Sequence, residues 1–393
     1  MRCSLLLLAA ALWSPAAAAQ VVVETFLPPG SGIDDALVLG PDGDLYGSLF
    51  GTFPVPGTTV TRVDLPGTST SIYADGMDNS NGLGFTDNGD LYVVSFSDAT
   101  VRKVTPDGTN TLHATAGSGS LSGLLVHPVT DVIYVTNYTN STVDIVELDG
   151  TLTPFLSNDG SPPELNGPVG LAVDDAGDLY VSNFNDGKIL HVSGMGELTE
   201  IADLDGPLGN TTGFITYAAG SLFATGIGSH VVEEISLPDG TVTTLAGTGA
   251  PGSMDGPGDQ AQFNGPNGIV PSVTGDTLFV SDYNTDAVRL IIRSGVTAAE
   301  PDEAGGAGSA LLPPSPNPFA GETAVRFRLD VPQRVTLSVF DGLGRRIATL
   351  TDRDWPAGSH ALPFSGEGLP PGAYLVRLDA ETGTDSVRLT RAR

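Results

Sequence analysis

The chain has 393 residues and a formal net charge of −29, with 17 basic and 46 acidic residues. This acidity excludes nucleic acid as a natural partner, because a polyanion would be repelled. The hydrophobic share of 40% excludes wholesale disorder. Gly and Pro make up about a fifth of the chain, which argues against a helical protein and predicts an all-β fold of short strands and tight turns.

Residues 1–19 have the pattern of a secretory signal peptide. Arg2 precedes a short apolar run, and a series of alanines follows it. We expect cleavage between Ala19 and Gln20 and a secreted protein; the alternative is a buried first helix. No segment reaches the ~20 apolar residues of a membrane-spanning helix, so none is predicted. The only cysteine, Cys3, lies in the signal, so the mature protein would have no disulfide and no thiol.

An internal repeat fills residues 20–297. A segment of the form Leu-Tyr-Val recurs at intervals of 42 to 56 residues. Its aromatic position is occupied by Tyr46, Tyr92, Tyr134, Tyr180, Phe223 and Phe279. Each copy contains about four short strands separated by Asp-Gly or Asn-Gly turns, which predicts a six-bladed β-propeller.

The two ends of the repeat region predict how the ring closes. The last copy lacks a clear outer strand after Ala287 to Arg293, whereas Val21 to Leu27 forms a strand without a partner in the first copy. We expect the N-terminal strand to pair with the last copy and close the propeller, which would also protect an exposed sheet edge.

The repeat of the last copy resembles that of a known family. Residues 260–269 read Gln-Ala-Gln-Phe-Asn-Gly-Pro-Asn-Gly-Ile, and Leu-Phe-Val-Ser-Asp follows at 278–282. Residues 166–171, Asn-Gly-Pro-Val-Gly-Leu, repeat the pattern. These motifs are similar to those of NHL-type six-bladed propellers, whose wider group includes gluconolactonase-like and strictosidine-synthase-like proteins. The resemblance implies the propeller fold and transfers no single member's function.

Charge divides the chain into two bodies. Residues 20–320 contain 37 acidic and only six basic residues, whereas the chain from Glu322 onward contains nine acidic residues and ten arginines. Residues 298–314 have the composition of a flexible linker between them. With only Lys103 and Lys188 as lysines, the acidic body suits solubility at high salt, as in halophilic proteins.

Residues 315–393 contain about six alternating strands, which predicts a small immunoglobulin-like β-sandwich. The segment resembles the C-terminal sorting domain of the type IX secretion system, which implies recognition by that machinery, delivery to the surface of a Gram-negative bacterium and frequent removal. Its motif residues are Asn317, Pro318, Phe319, Gly344, Arg345, Gly372 and Tyr374. The alternative is an ordinary immunoglobulin-like domain that binds a ligand or acts as a spacer, or that docks on the acidic propeller through its arginines.

Catalytic motifs are lacking in the sequence. It contains no Gly-x-Ser-x-Gly nucleophile elbow, no histidine pair at zinc-ligand spacing and no phosphate-binding loop with a lysine. The Asp-Gly pairs are typical of hairpin turns rather than calcium loops. A non-catalytic binding or scaffold role is therefore favoured, and a pure structural spacer is a further alternative.

Polar residues at the blade entrances are the candidate site. Asp34, Asn81 and Asn267 precede first strands, and the inner ends of second strands carry a second polar set. That second set is Asn137, Asn183 and Asp282. We expect both sets at the mouth of the central channel, where they bind a ligand or cap strand ends and hold water.

A calcium ion at this entrance is implied by the resemblance to gluconolactonase-like propellers. Asp34, Asn81 and Asn267 would then be metal ligands, although the glutamate that such enzymes contribute has no counterpart. The alternative function is accordingly a calcium-dependent lactonase or esterase, in which the ion polarises a carbonyl group.

Overall fold

A computed structural model gives the structure of the protein. It describes residues 20–391 except 53–54, 66, 129, 176, 194–195, 205–210, 238, 273–274, 295–308, 316–318, 320, 330, 341–345, 367, 370–371 and 381–382. Across these residues the chain forms strands and turns with no α-helix, which confirms the all-β prediction. No helix capable of crossing a bilayer is therefore found in the described part.

Strands β1 to β27 occupy the N-terminal part. Their bounds are β1 (Gln20–Leu27), β2 (Leu37–Leu39), β3 (Leu45–Ser48), β4 (Gly51–Thr52), β5 (Val55–Pro56), β6 (Thr59–Asp64), β7 (Ser69–Asp75), β8 (Ser80–Phe85), β9 (Leu91–Ser95), β10 (Thr100–Val104), β11 (Asn110–Thr115), β12 (Leu121–Val126), β13 (Ile133–Asn137), β14 (Thr142–Val146), β15 (Leu152–Ser157), β16 (Pro168–Val173), β17 (Leu179–Asn183), β18 (Lys188–Val192), β19 (Leu198–Asp203), β20 (Thr212–Ala218), β21 (Ser221–Gly226), β22 (Val231–Ser236), β23 (Val242–Ala246), β24 (Gly256–Pro257), β25 (Pro266–Pro271), β26 (Thr277–Asp282) and β27 (Ala287–Ser294).

These strands form antiparallel sheets that follow one another along the chain. Five of the sheets are four-stranded, in the orders β2-β3-β6-β7, β8-β9-β10-β11, β12 to β15, β16 to β19 and β20 to β23. The next has the order β25-β26-β27-β1-β24, and β4 pairs only with β5. Each first strand contacts the first strand of the next sheet, and β25 contacts β2, so the first strands β2, β8, β12, β16, β20 and β25 surround a common centre.

The predicted closing strand is present. β1 lies antiparallel to β27, with Val22 opposite Ile292 and Val23 opposite Ile291. Leu27 is 2% exposed and packs with Ile33 of the first sheet region in one apolar cluster. The N-terminal strand therefore joins the beginning and the end of this part of the chain, and it also pairs with the short β24.

Close contact between neighbouring sheets explains part of the sequence pattern. A Cβ atom on Gly123 would overlap the carbonyl oxygen of Val169, and one on Gly268 would overlap that of Asp35. Hydroxyl groups of the second strands also bond to carbonyl oxygens of the next sheet. These bonds are Thr136 to Val169 (3.3 Å), Ser182 to Gly213 (2.8 Å), Thr225 to Asn267 (2.6 Å) and Ser281 to Asp35 (2.6 Å).

The C-terminal part consists of two sheets with one shared apolar cluster. Its strands are β28 (Ser309–Ser315), β29 (Glu322–Leu329), β30 (Gln333–Phe340), β31 (Arg346–Trp355), β32 (Gly358–Ser365), β33 (Gly372–Ala380) and β34 (Gly383–Arg391). The sheet orders are β28-β29-β32 and β31-β30-β33-β34. β28 begins inside the predicted linker 298–314, because its backbone pairs with β29. The rest of that linker, residues 298–308, lies outside the described residues.

Three residues of the predicted sorting motif are described. Phe319 is 1% exposed, forms a bridge with Arg391 of the last strand, and its ring lies 5.9 Å from that of Phe364. Gly372 begins β33, and Tyr374 is buried in the same cluster. The remaining motif residues, Asn317, Pro318, Gly344 and Arg345, lie outside the described residues, as does Ala19 of the predicted cleavage site.

Candidate functional site at the channel mouth

A cavity of about 280 Å³ lies at one end of the channel between the first strands. Its wall and floor take residues from each of the sheets around the channel. The lining residues are Asp35, Phe50, Asn81, Phe96, Ser122, Tyr138, Val169, Phe184, Phe214, Ile227, Asn267 and Tyr283. A concave site of this kind, mostly apolar with a few polar groups, is the usual form of a small-molecule site.

The wall of the cavity is a series of aromatic residues at equivalent positions. Each directly follows the second strand of its sheet, or, for Phe50, follows it by two residues. The ring of Phe50 lies 5.5 Å from that of Phe96 and 6.2 Å from that of Tyr283. Tyr138 lies 5.9 Å from Phe96 and 5.7 Å from Phe184. Five aromatic rings thus form a continuous arc around the mouth.

Ile227 completes the wall at the sixth equivalent position, directly after β21. All six wall side chains are partly exposed. Apolar side chains gathered at one partly open place on a surface usually mark a binding surface. The wall therefore presents apolar and aromatic surface to whatever enters the cavity.

The floor of the cavity is built by irregular backbone at the start of the first strands. The pairing of β8 with β9 shifts register between Ser80 and Leu83, and that of β25 with β26 shifts between Pro266 and Ile269. The residues in these bulges include Asn81 and Asn267, which line the cavity. The same shift occurs in the sheets that contribute Ser122, Val169 and Phe214. A bulge redirects side chains, and here it directs them to the channel.

Two polar atoms of the floor lack partners. Asp35 is 2% exposed and Asn81 is 5% exposed, yet the Oδ1 atom of each accepts no hydrogen bond. Buried polar groups are nearly always paired, so these two oxygens beside the cavity are available to a ligand or to water. These two atoms are the polar anchor points of the site.

Asp35 is buried, and no basic residue in the described part of the chain influences its carboxyl group. Burial raises the pKa of its carboxyl group well above the ordinary value, and the neighbouring charge of Asp34 adds to this effect. Hydrogen bonds from the Ala36 N–H and from the amide of Asn267 offset only part of the increase. Among the described lining residues none is Lys, Arg or His, so the lining offers Asp35 no positive charge.

Asp34 has a different role from the one predicted. Its Oδ1 accepts a hydrogen bond of 2.6 Å from the N–H of Phe50, and its Oδ2 accepts one of 2.9 Å from that of Gly51. Burial nevertheless raises its pKa to about 6. Because both oxygens bind backbone N–H groups, Asp34 fixes the turn that carries Phe50, and its neighbour Asp35 lines the cavity instead.

The second predicted polar set lies behind the wall. The Oδ1 of Asn137 accepts the N–H of Asn140 at 3.1 Å, and that of Asn183 accepts the N–H of Asn166 at 3.0 Å. Asn137 and Asn183 line no part of the cavity. Both hold the backbone next to the wall residues, which agrees with the capping alternative rather than with direct ligand contact.

Asp282 completes this second set, with a buried ion pair. Its Oδ1 accepts the N–H of Asn264 at 3.1 Å, and its Oδ2 lies 3.4 Å from the Nη1 of Arg289, which is 0% exposed. Burial raises the pKa of Asp282 to about 6, although Arg289 acts against this. Arg289 also bonds to Asp255 at 2.6 Å, so it anchors the loop before β25 to the sheet.

Of the predicted calcium ligands Asp34, Asn81 and Asn267, Asp34 is the one whose oxygens are already occupied by the protein. Both Asp34 oxygens are occupied by backbone N–H groups. Asn267 directs an amide N–H to Asp35, and its Oδ1 lies 2.8 Å from where a Cβ of Gly213 would be. The floor retains a single carboxylate, whereas calcium takes six to eight oxygen ligands. No cluster of three His, Cys, Asp or Glu residues with metal-binding geometry occurs in the described chain.

The aromatic wall was missed by the sequence reasoning, although a signal was present. Phe96, Tyr138, Phe184 and Tyr283 each lie three residues after the last residue of the Leu-Tyr-Val segment of their copy. An aromatic residue repeated at the channel end of successive second strands predicts a circle of aromatic side chains around the mouth. The signal lies one residue beyond the end of each strand.

The opposite end of the channel is apolar. A cavity of about 170 Å³ is lined there mainly by aliphatic side chains such as Leu83, Leu124 and Val270. Phe214 borders both cavities and lies between the polar floor and this apolar end.

Comparison with known proteins gives a result by structure and none by sequence. The chain matches no protein-family model and no curated protein. An auxiliary nutrient binding protein from Bacteroides thetaiotaomicron is similar in structure, with a TM-score of 0.57 and 18% identity over 70% of this chain and 76% of that chain. A gluconolactonase from Xanthomonas campestris has a TM-score of 0.52 and 14% identity, over 69% of this chain and 89% of that chain.

A virginiamycin B lyase from Staphylococcus aureus has a TM-score of 0.51 and 13% identity, over 70% of this chain and 99% of that chain. At these identities the similarity concerns the fold and not the activity. It agrees with the ring of antiparallel sheets described above. The chain therefore has the β-propeller fold of gluconolactonase-like and virginiamycin B lyase-like proteins.

Proposed function

We propose that the protein is a binding module that holds a small molecule in the cavity at the channel mouth. The observation that carries this proposal is the combination of a partly exposed aromatic wall with two orphaned buried oxygens, Asp35 Oδ1 and Asn81 Oδ1. The wall supplies apolar contact and the oxygens supply orientation, which is the usual division of roles in a ligand site. The described lining contains no histidine or cysteine, so no serine–histidine or thiol arrangement for nucleophilic catalysis is found there.

Thermal-shift screening tests this proposal. Purified full-length protein is tested against a panel of small sugars, amino acids, organic cations and lactones, together with a variant that carries Phe96→Ala and Phe184→Ala. A compound that raises the Tm of the natural protein and not that of the variant supports the proposal. Leu148→Ala is the matched control, because Leu148 is 93% exposed and does not line the cavity. Equal shifts for all three proteins would overturn it.

We also propose that the β-propeller part is a six-bladed ring closed by β1. The C-terminal part is, in the same proposal, an immunoglobulin-like sorting domain for the type IX secretion machinery. Support for the ring comes from the contact of β25 with β2 and from the pairing of β1 with β27. Support for the sorting domain comes from its motif residues and from its separate apolar cluster. The mature protein is then secreted, at the surface of or outside a Gram-negative cell.

A secretion assay tests this part. In the native host we expect residues from Gln20 onward at the cell surface or in the medium, with a mass that lacks residues after about 315. Deletion of residues 315–393 should leave the protein in the periplasm. A full-length form that remains associated with the cell, or secretion without the C-terminal part, would contradict the assignment.

High salt is the proposed environment of the acidic body. Acidic residues outnumber basic ones in this body, so their negative charges repel one another at low ionic strength. Raising salt from 0.1 M to 1 M shortens the screening length from ~10 Å to ~3 Å. We expect the Tm to rise over this range, and an unchanged Tm would contradict a halophilic adaptation.

A lactone or ester hydrolase is the second candidate. The orphaned oxygens on the floor and the structural similarity to a gluconolactonase favour it. Hydrolysis of a panel of lactones and aryl esters, measured with calcium and with a chelator, tests it directly. Turnover that requires calcium and disappears in Asn81→Ala would establish this candidate, and no turnover at millimolar calcium would exclude it.

A further inference from the structure

The wall of the cavity provides the faces and edges of five aromatic rings within one small volume. Successive ring centroids from Tyr283 through Phe50, Phe96 and Tyr138 to Phe184 are 5.5 to 6.2 Å apart. Successive rings are T-shaped or tilted to one another, so the arc combines ring faces, which attract cations, with ring edges. Cations without strong hydration gain most from such surroundings.

The floor adds one carboxyl group to these rings, and a bound cation would counteract the raised pKa of this group and hold it ionised. Asp35 is the only ionisable residue other than tyrosine among the described lining residues, and its Oδ1 is unpaired. The guest that satisfies a buried carboxylate best carries a positive charge, because no side chain of the described lining supplies one. The strong excess of acidic residues in residues 20–320 also attracts cations to this part of the chain as a whole.

We propose that the ligand of the cavity is a small organic ammonium cation, held by the aromatic wall and by the Asp35 carboxylate. This inference rests on the proposed function, because it names the class of the small molecule. A hydrated metal ion suits the site less well, since the wall has no oxygen ligands apart from the tyrosine hydroxyls and the floor has one carboxylate. A neutral sugar leaves the buried carboxylate without a counter-charge.

Calorimetric titration of the full-length protein tests the inference. The probes are choline, its neutral carbon isostere dimethylbutanol, and calcium chloride. We expect choline to bind at least about tenfold more tightly than the isostere, because the two differ in charge and not in shape. Equal affinities would overturn the cation assignment while leaving a small-molecule cavity intact. Calcium binding without choline binding would also overturn it, and would support the hydrolase candidate.

Variants of the wall and floor separate charge recognition from packing. Phe96→Leu keeps an apolar wall but removes a π face, so choline should weaken about tenfold and the isostere little. Leu148→Ala is the control outside the cavity, because Leu148 is 93% exposed and lines no part of the site, so this change should alter neither affinity. Asp35→Asn should remove the preference for choline over the isostere. A preference that survives both Phe96→Leu and Asp35→Asn, with each variant folded by its thermal transition, would contradict the inference.

Discussion

The hydroxyl of Ser281 donates a hydrogen bond of 2.6 Å to the carbonyl oxygen of Asp35, 246 residues earlier in the chain. The same oxygen atom of Ser281 accepts the N–H of Gly268 at 2.8 Å. The contact joins the last sheet to the first at the residue whose carboxyl group forms part of the cavity floor. Closure of the ring and placement of the candidate site therefore depend on one another.

Replacement of Ser281 by alanine tests this link. The change leaves the N–H of Gly268 and the carbonyl of Asp35 without their buried partner. We expect a loss of about 1 to 3 kcal/mol in the free energy of unfolding, measured by urea denaturation. Ser69→Ala on the outer strand β7 is the control, since Ser69 is exposed and should change stability by less than ~0.5 kcal/mol. Equal effects of the two changes would argue against the ring-closing contact.

The closing strand makes a second prediction. Leu27 is 2% exposed and packs with Ile33, Phe279 and Val288 where the two ends of the ring meet. Leu27→Ala should cost about 2 to 5 kcal/mol through lost burial and the cavity that remains. Glu24→Ala in the same strand removes an exposed side chain and should cost far less. A small loss for Leu27→Ala in urea denaturation would mean that β1 contributes little to closure.

The buried pair of Arg289 and Asp282 makes a third prediction. Arg289→Met leaves the Asp282 carboxylate buried without its positive partner, so the free energy of unfolding should fall by about 3 to 5 kcal/mol. Adding Asp282→Asn removes that charge and should restore part of the loss. Lys188→Met is the control, because the side chains of Lys188 and of its partner Glu200 are 31% and 40% exposed, and such a pair contributes little to stability. No recovery in the double variant would contradict this electrostatic explanation.

Mild acid should stabilise the protein. Burial raises the pKa of Asp34 and of Asp282 to about 6, whereas both would have an ordinary pKa near 3.8 in the unfolded chain. The folded state then binds more protons than the unfolded state between these values. The stability from these groups is therefore complete below a pH of about 4 and is lost as the pH rises through about 6.

The Tm measured at pH 5 should accordingly exceed the Tm at pH 7. Asp282→Asn should reduce the difference, because that position no longer titrates. Asp239→Asn is the control, since Asp239 lies in an exposed turn and has no raised pKa. A Tm that falls from pH 7 to pH 5 would contradict the assigned direction.

Several features of the fold followed from local sequence. The Leu-Tyr-Val segments around Tyr92 and Tyr180 form second strands, because alternating apolar residues between Gly-rich turns favour antiparallel strands. The closing role of Val21 to Leu27 followed from counting strands in the first and last copies. Asn81 and Asn267 were found because the Asn-Gly pair recurs where first strands begin.

Other features depend on contacts that no local pattern contains. Asp34 and Asp35 are adjacent acidic residues with different roles. The turn at Phe50 bonds to Asp34, and Asp35 faces the cavity, a difference that depends on the position of that turn. The buried position of Arg289 results from a loop about 30 residues away in sequence, at Asp255. A charge pattern could not reveal either arrangement, because long-range packing determines both.

The most direct test of the central claim is a crystal structure of the full-length protein with arsenocholine, in which arsenic replaces the nitrogen of choline. Anomalous scattering then locates the cation itself. We predict a single strong peak in the channel-mouth cavity, within ~6 Å of the centroids of the Phe96 and Tyr138 rings. That peak should be absent in Asp35→Asn crystals grown in the same way. A peak elsewhere on the protein, or an empty cavity at saturating ligand, would contradict the account.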